Sequence, residues 1–234
     1  MRYWLVMPAA GAGRRFGGAK QFASLNQRAV LEVALQPFTE DAQCLGGAIV
    51  LAPNEPRRAE ICRRVPPRFE CIEGGPTRAH SVINGLAALG GRAAAHDWVL
   101  VHDAARPCLS AADLTRLLAG AAGEADGALL AVPVADTVKQ AKARAPDEPA
   151  RCAVTLSRES LWLAQTPQMF RHAALLTALE QALALGRAPT DEAQAMEWQG
   201  VSARLIEARD PNIKVTGAAD LVLAQAILSA RAGA

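Results

Sequence analysis

Short apolar runs alternate with segments of helical periodicity along most of this chain, and this alternation constrains the fold more than any other feature. The apolar runs predict strands at Tyr3–Met7, Ala48–Leu51, Glu70–Ile72, Trp98–Val101, Ala128–Val132 and Ala203–Ile206. The periodic segments predict helices at Val30–Phe38, Pro56–Val65, Thr77–Leu89, Ala111–Ala122, Arg171–Leu185 and Gly217–Ala230. Such an order is typical of a Rossmann-like α/β fold, in which helices cover both faces of a mostly parallel, twisted sheet. Ligands of these folds bind where the strands end, so the residues after each strand are the first candidates for a functional site.

Length and composition exclude several classes of protein. The 234 residues fit one domain, residues 1–234. A formal net charge of +2 and an aromatic content of 4% provide neither the basic field nor the stacking platforms of a nucleic-acid-binding protein. No apolar run approaches the ~20 residues of a membrane span. We therefore expect no nucleic-acid partner, no membrane partner and a cytoplasmic location. The five cysteines and four histidines show no metal-ligand spacing.

A loop of small residues follows the first strand. It reads Pro8-Ala-Ala-Gly-Ala-Gly13 and continues into Arg14, Arg15 and Lys20. Glycine and alanine let backbone N–H groups approach phosphates, while arginine and lysine supply the countercharge. The loop is not a Walker A motif, because no Gly-Lys-Ser/Thr follows it. The pattern favours a phosphate-handling enzyme; the alternative is a tight connection between a strand and the next element.

Two further segments place acidic and basic residues after a strand. Asp103 and Arg106 follow the strand at Trp98–Val101, and Asp210 and Lys214 precede the C-terminal helix. A carboxylate at Asp103 is suited to holding Mg²⁺ against a triphosphate, because this ion prefers oxygen ligands. Asp210 is a second candidate ligand. The alternative for Asp103 is a turn cap that pairs with Arg106, and Lys214 alone is typical of a solvated surface lysine.

Two helix starts are also candidate binding segments. The segment Gly74-Gly-Pro-Thr-Arg78-Ala-His-Ser81 joins a predicted strand to a helix, so its amides and the Ser81 hydroxyl are candidate ligands of a base or ribose. The alternative is a glycine turn followed by a Thr77 N-cap. The segment Thr190-Asp-Glu192 predicts the start of another helix, and capping alone is the alternative there.

The charged, proline-bearing stretch from Lys139 to Arg151 interrupts the alternation. Thr137-Val138 and Cys152–Leu156 flank it as predicted strands, which indicates a protruding hairpin. An isolated hairpin is only marginally stable, so a partner surface would explain it. A solvated insertion is the alternative.

Six motifs, in this order, resemble the 2-C-methyl-D-erythritol 4-phosphate cytidylyltransferase family from Val6 to the C-terminal helix. They are Pro8-Ala-Ala-Gly-Ala-Gly-Arg-Arg-Phe16 with Lys20-Gln21, Val101-His-Asp-Ala-Ala-Arg-Pro107, Pro133-Val-Ala-Asp-Thr-Val-Lys139, Gln165-Thr-Pro-Gln168, Thr190-Asp-Glu192 and Asn212-Ile-Lys-Val-Thr216. The resemblance implies a nucleotidyltransferase of the nonmevalonate isoprenoid pathway. Such an enzyme uses Mg²⁺ to join CTP to methylerythritol phosphate and releases pyrophosphate.

The resemblance also implies roles for individual residues. Arg15 and Lys20 would stabilise the transition state, and Asp103 would lie near the metal. The nucleotide would be held by Ala9, Ala10, Gly11, Gly75, Arg78 and Ser81. The methylerythritol phosphate would be held by Thr137, Arg158, Thr190, Lys214 and Arg106. A dimerisation arm at about residues 134–163 would reach the site of a second copy of the chain.

Two departures from the family pattern concern the nucleotide loops. The segment between Arg15 and Lys20 is shorter than in other members of the family, and Pro76-Thr77 stands where a small residue and an acid often occur.

The alternative activities are a related sugar-phosphate cytidylyltransferase, such as one acting on ribitol 5-phosphate, and a regulatory subunit that binds nucleotide without catalysis.

Overall fold

The computed structural model of the chain describes residues 1–13 and 16–233. Its strands are β1 (Tyr3–Ala9), β2 (Ser24–Leu25), β3 (Arg28–Ala29), β4 (Cys44–Leu51), β5 (Phe69–Glu73), β6 (Trp98–Val101), β7 (Ala128–Pro133), β8 (Val138–Ala141), β9 (Cys152–Leu156), β10 (Trp162–Arg171) and β11 (Arg204–Glu207). Its helices are α1 (Val30–Glu40), α2 (Arg58–Arg64), α3 (Arg78–Ala88), α4 (Ala111–Ala121), α5 (His172–Ala184), α6 (Glu192–Glu197) and α7 (Ala218–Ala232). The predicted strands and helices are therefore confirmed, with ends that differ by a few residues.

Seven strands form one sheet in the order β11-β7-β10-β6-β1-β4-β5. Strand β1 pairs in parallel with β4 and β6, β4 pairs in parallel with β5, and β11 pairs in parallel with β7. Strand β10 runs antiparallel between β6 and β7. The mostly parallel α/β fold is confirmed, and one antiparallel strand lies near its middle.

Alternation along β1 shows how the sheet divides the core into two layers. Tyr3, Leu5 and Met7 pack with apolar residues of α1, α2 and α4, whereas Trp4 and Val6 pack with those of α3, α5 and α6. Successive strand residues point to opposite faces, so a strand buried on both faces is apolar throughout. Both faces of the sheet are thus covered by helices, as expected.

A third apolar cluster fixes the segment that carries Lys214. Val215 is fully buried and packs with Val30 of α1 and Ala224 of α7. The amide of Val215 also donates to Ala105 O at 2.8 Å. Lys214 is therefore held beside the loop that follows β6.

The charged insertion forms the predicted hairpin. Strands β8 and β9 pair antiparallel as a separate two-stranded sheet, with Val138 opposite Leu156 and Gln140 opposite Val154. The first of these strands begins at Val138 rather than at Thr137. Most of the hairpin side chains are exposed, including the apolar Val154 and Leu156.

Strand β10 is the main element that the sequence pattern does not predict. Its centre is the polar run Gln165–Gln168, yet Thr166 and Gln168 are buried. Both side chains form hydrogen bonds to distant segments, which offsets the cost of burying them. A search for apolar runs therefore misses this strand.

No helix in the described ranges is long and apolar enough to cross a membrane.

Candidate active site

A cavity of about 470 Å³ lies at the carboxyl ends of β1, β5 and β6. The predicted site residues that line it are Ala9, Ala10, Gly11, Lys20, Gly75, Arg78, Ser81, Asp103 and Lys214. These residues come from distant parts of the chain. The fold thus brings together the small-residue loop, the Gly75 turn, the acid after β6 and the C-terminal lysine.

Gln21 holds the small-residue loop in place. Its buried side-chain amide donates to Ala9 O at 2.7 Å and to Gly11 O at 3.0 Å. Gly13 has a φ of +62°, and a Cβ there would lie 1.8 Å from Gly18 O, so the tight return of the loop requires glycine. The Gln21 anchor was not predicted, although the motif Lys20-Gln21 contains it. Arg15 lies outside the described residues.

The Gly75 turn is held by Ser81. The amide of Gly75 donates to Ser81 Oγ at 3.2 Å, and this hydroxyl donates to Thr77 O at 3.0 Å. A Cβ on Gly75 would lie 2.4 Å from His80 Cβ, so no larger residue fits. Thr77 Oγ1 accepts from His80 N at 3.3 Å, which confirms the predicted N-cap of α3. The contact of Ser81 with a base or ribose stays a prediction.

Asp103 lies among three cationic side chains. Its Oδ1 accepts from Arg78 Nε at 3.2 Å and Nη2 at 3.1 Å, and its Oδ2 lies 2.6 Å from Lys214 Nζ. Arg106 Nε is more distant, 3.9 Å from Oδ2. Burial alone would raise the pKa of Asp103, but Arg78, Lys214 and Arg106 outweigh it and hold that pKa well below its usual range. The carboxyl group is therefore ionised at neutral pH, and Arg106 is its weakest partner.

Glu192 was missed as a site residue. The predicted helix start is confirmed, with Asp191 Oδ1 accepting from Gln194 N at 2.9 Å as the N-cap of α6. Glu192 itself is fully buried and accepts two hydrogen bonds from Arg78. Burial alone would lower the pKa of Arg78, but Glu192 and Asp103 raise it above its usual value.

A chain of hydrogen bonds fixes the backbone of Asp103. Its amide donates to Thr166 Oγ1 at 3.0 Å, and Thr166 Oγ1 lies 3.0 Å from His102 Nδ1. His102 Nε2 lies 3.1 Å from Arg106 O, which can only accept, so the network assigns the proton to Nε2. Burial lowers the pKa of His102 to about 4. This histidine is therefore neutral at pH 7, and its role is structural.

The segment around Asn212 is hydrogen-bonded to two other motifs. Asn212 Nδ2 donates to Thr166 O at 2.8 Å, and Arg106 Nη1 donates to Asn212 O at 2.7 Å. Arg106 therefore supports the segment that carries Lys214. It is not among the residues that line the cavity.

The remaining predicted residues lie away from the cavity lining of their own chain. Thr137 and Thr190 are exposed, and Arg158 donates to Ala135 O within the arm. The amide of Asp210 donates to Asp113 Oδ2 at 3.1 Å at the end of β11. The structure thus does not bring Asp210 to the cavity beside Asp103.

A magnesium ion fits the cavity only if its other ligands come from the nucleotide. Asp103 is the one carboxylate that lines the cavity among the residues described, and these residues contain no cluster of three or more metal-ligating side chains. Protein-bound Mg²⁺ commonly takes one or two carboxylates and completes its coordination with phosphate oxygens and water. The donor set is consistent with that arrangement, in which Asp103 would be the carboxylate that the protein supplies.

Comparisons with known proteins agree on one family. The model of the family described as IspD, 2-C-methyl-D-erythritol 4-phosphate cytidylyltransferase, matches residues 3–230. The protein of that name from Halorhodospira halophila is 46% identical over 239 residues, covering 100% of this chain and 96% of the relative. That from Acidithiobacillus ferrooxidans is 48% identical over 238 residues, covering 98% of each. The crystal structure of the Francisella tularensis 2-C-methyl-D-erythritol 4-phosphate cytidylyltransferase matches with a TM-score of 0.81 at 31% identity, covering 97% of this chain and 100% of that one.

Proposed function

The chain belongs to the 2-C-methyl-D-erythritol 4-phosphate cytidylyltransferase family, and we propose that the cavity described above is the active site in which it performs the family's reaction. The enzyme transfers the cytidylyl group of CTP to 2-C-methyl-D-erythritol 4-phosphate in isoprenoid precursor biosynthesis. The observation that carries the assignment of the site is that the phosphate-type loop, Lys20, Asp103 and Lys214 line one cavity. The size of this cavity, about 470 Å³, lies within the range typical of small-ligand sites.

The reaction requires positioning and charge neutralisation. A phosphate oxygen of methylerythritol phosphate attacks the α-phosphorus of CTP, and the bond from that phosphorus to the β-phosphate bridging oxygen breaks as pyrophosphate leaves. The attacking phosphate is largely dianionic at neutral pH, since its second pKa lies near ~6, so no general base is needed. In-line attack requires no nucleophile from the protein.

Each part of the cavity takes one task in this proposal. The backbone of Ala9, Ala10 and Gly11 surrounds the triphosphate, and the turn held by Ser81 contacts the nucleoside. Lys20, with Arg15, neutralises charge that develops on the transferred phosphoryl group. Such groups are most effective when the fold has already placed them before the reaction begins.

The acceptor substrate lies beside Lys214. Because the Lys214 side chain is 40% exposed while its Nζ is bonded to Asp103, it can also face an anionic ligand in the cavity. Arg106 holds the segment that carries Lys214 by donating a hydrogen bond to Asn212 O. Thr190 and Thr137 do not line this cavity in their own chain, so in the proposal they would contact the acceptor from outside its lining.

Mg²⁺ is the proposed cofactor, and Asp103 together with the triphosphate oxygens would hold it. The ion would supply positive charge against the phosphates when bound. Asp210 is not retained as a ligand in this proposal, because it does not line the cavity.

The active form is proposed to be a homodimer joined through the arm at residues 134–163, in the cytoplasm. Exposed apolar residues on this arm, Val154, Leu156 and Leu163, support a partner surface. Arg158 would enter the site of the second copy, which is consistent with its absence from the cavity lining of its own chain.

Pyrophosphate release tests the proposal. The protein is incubated with Mg²⁺, each nucleoside triphosphate in turn, and either methylerythritol phosphate or ribitol 5-phosphate. We expect release only with CTP and methylerythritol phosphate. Release with ribitol 5-phosphate instead would favour the related sugar-phosphate activity, and binding of CTP without release would indicate a regulatory subunit.

A further inference from the structure

Glu192 is a buried carboxylate that the reaction scheme above does not use. It is the first residue of α6 and is fully shielded from solvent. Its Oε1 accepts from Arg78 Nη1 at 2.6 Å, and its Oε2 accepts from Arg78 Nη2 at 3.0 Å. Two parallel bonds of this kind form the strongest and most directional contact between arginine and a carboxylate.

The same guanidinium group also holds Asp103. Arg78 Nε and Nη2 donate to Asp103 Oδ1 at 3.2 and 3.1 Å. Arg78 thus makes four hydrogen bonds to two carboxylates, and a guanidinium has five N–H groups in all. Most of its donor capacity is therefore used in this cluster. Arg78 and Asp103 line the cavity, whereas Glu192 lies behind them.

The position of Glu192 is itself fixed by β10. Gln168 Oε1 accepts from Ala193 N at 2.8 Å, and Gln168 Nε2 donates to Asp191 Oδ2 at 2.9 Å. Both chain neighbours of Glu192 are therefore attached to one buried side chain of the sheet. This explains how two separate motifs, Gln165–Gln168 and Thr190–Glu192, act on the same site.

The cluster contains more positive than negative charge. Arg78, Lys214 and Arg106 surround Asp103, and Glu192 supplies the second negative charge. Without the carboxylate of Glu192, Asp103 would be the one anionic partner of Arg78 in this cluster. Both remaining bonds go to Asp103 Oδ1, so the guanidinium could rotate about that single acceptor oxygen. The direction of Asp103 Oδ2 toward Lys214 would then no longer be fixed.

We propose that Glu192 is a positioning residue for the cytidylyl transfer, because it locks Arg78 and through it orients Asp103 and Lys214. The inference rests on the proposed function of the cavity. It adds a contribution from a residue that does not touch substrate.

The first test is Glu192→Gln, which keeps the shape of the side chain and removes its charge. The new amide group presents N–H donors toward a guanidinium that also donates, so one arm of the two-bond contact is lost. At a temperature well below unfolding, we expect kcat/KM to fall by roughly 10- to 100-fold, the range in which misplacement of active-site groups acts. The matched control is Glu124→Gln, which breaks the exposed pair with Arg204 at the other end of the sheet and should leave kcat/KM within about twofold.

The second test separates positioning from a general loss of folded protein. A purely structural role lowers the active fraction and leaves both KM values unchanged, whereas a positioning role changes kcat or KM in protein that is fully folded by circular dichroism. In an Arg78→Lys background no two-bond contact can form. There, Glu192→Gln should lower kcat/KM by less than about a further twofold. If Glu192→Gln does not fold, Glu192→Asp is used in the same cycle, because it keeps the charge and shortens the reach.

Three outcomes would overturn the inference while wild-type protein is active: unchanged kinetics in folded Glu192→Gln, a loss that adds fully to that of Arg78→Lys, or a loss that matches the unfolded fraction. An inactive wild-type protein would instead contradict the proposed function itself.

Discussion

Lys214 Nζ lies 2.6 Å from Asp103 Oδ2, and this contact joins the C-terminal segment to the loop after β6 at the edge of the cavity. Arg78 approaches the other oxygen of the same carboxylate. Asp103 therefore anchors two cationic side chains and is also the carboxylate proposed to hold the metal. Substitution of Asp103 should affect both roles, and a Mg²⁺ titration separates them.

Asp103→Asn should weaken the response of the enzyme to Mg²⁺. A neutral amide is a poorer ligand for this ion than a carboxylate, so we expect the half-saturating Mg²⁺ concentration to rise by roughly tenfold or more. The measurement is initial rate against Mg²⁺ concentration at saturating CTP. Asp126→Asn, an exposed site in the loop before β7, is the matched control. A lower kcat with an unchanged half-saturation value would show that Asp103 acts only through Arg78 and Lys214.

His102 should make the protein less stable in mild acid. Burial lowers its pKa from 6.5 to about 4, so the unfolded chain takes up a proton before the folded one does. Stability is therefore full above pH 6.5 and is lost as the pH falls toward 4, by roughly 3 kcal/mol in all. The folded-state pKa of Asp103 is also lowered. The free energy of unfolding therefore falls further below the unfolded-state pKa of this residue, which is about 4.

Urea unfolding between pH 7 and pH 4 checks this prediction. In His102→Gln the free energy of unfolding should be lower at pH 7 and should change much less over that range. Parallel curves for the two proteins would show that His102 is not the group responsible.

The arm at residues 134–163 should make each active site a shared one, built from two copies of the chain. If Lys20 of one chain and Arg158 of the other complete each site, Lys20→Ala and Arg158→Ala should complement each other. After unfolding and refolding an equal mixture, half the dimers are mixed, and two-fold symmetry leaves roughly a quarter of all sites intact.

The control for this experiment mixes Lys20→Ala with Lys214→Ala. Both residues line the same cavity of one chain, so no intact site can form and no activity should return. Activity of the first mixture that equals the mean of its separate variants, in dimers shown to have exchanged, would place Arg158 outside the partner's site.

Much of the fold follows from local sequence patterns, whereas the elements that these patterns did not predict depend on long-range contacts. The strand at Trp98–Val101 was predicted with its observed ends because it is short, apolar and buried on both faces. Strand β10 was not, because Thr166 and Gln168 satisfy their buried polar groups with partners far away in sequence. Glu192 was named only within a helix start and the family motif Thr190-Asp-Glu192 and was given no role, since an acid in the first turn is common there and its partner Arg78 is distant in the chain. No local pattern carries that information.

In the proposed function, the cavity lined by Lys20 is where the cytidylyl group is transferred. The most direct test is the initial rate of pyrophosphate release from CTP and methylerythritol phosphate, measured for wild type, Lys20→Ala and Arg15→Ala. Each substitution removes a charge aimed at the developing oxyanion, so we expect each to lower kcat by roughly two or more orders of magnitude with the fold intact. Arg204→Ala, which removes an exposed cation at the opposite end of the sheet, should stay within about twofold of wild type. Near wild-type release by well-folded Lys20→Ala would show that the cytidylyl group is not transferred in this cavity.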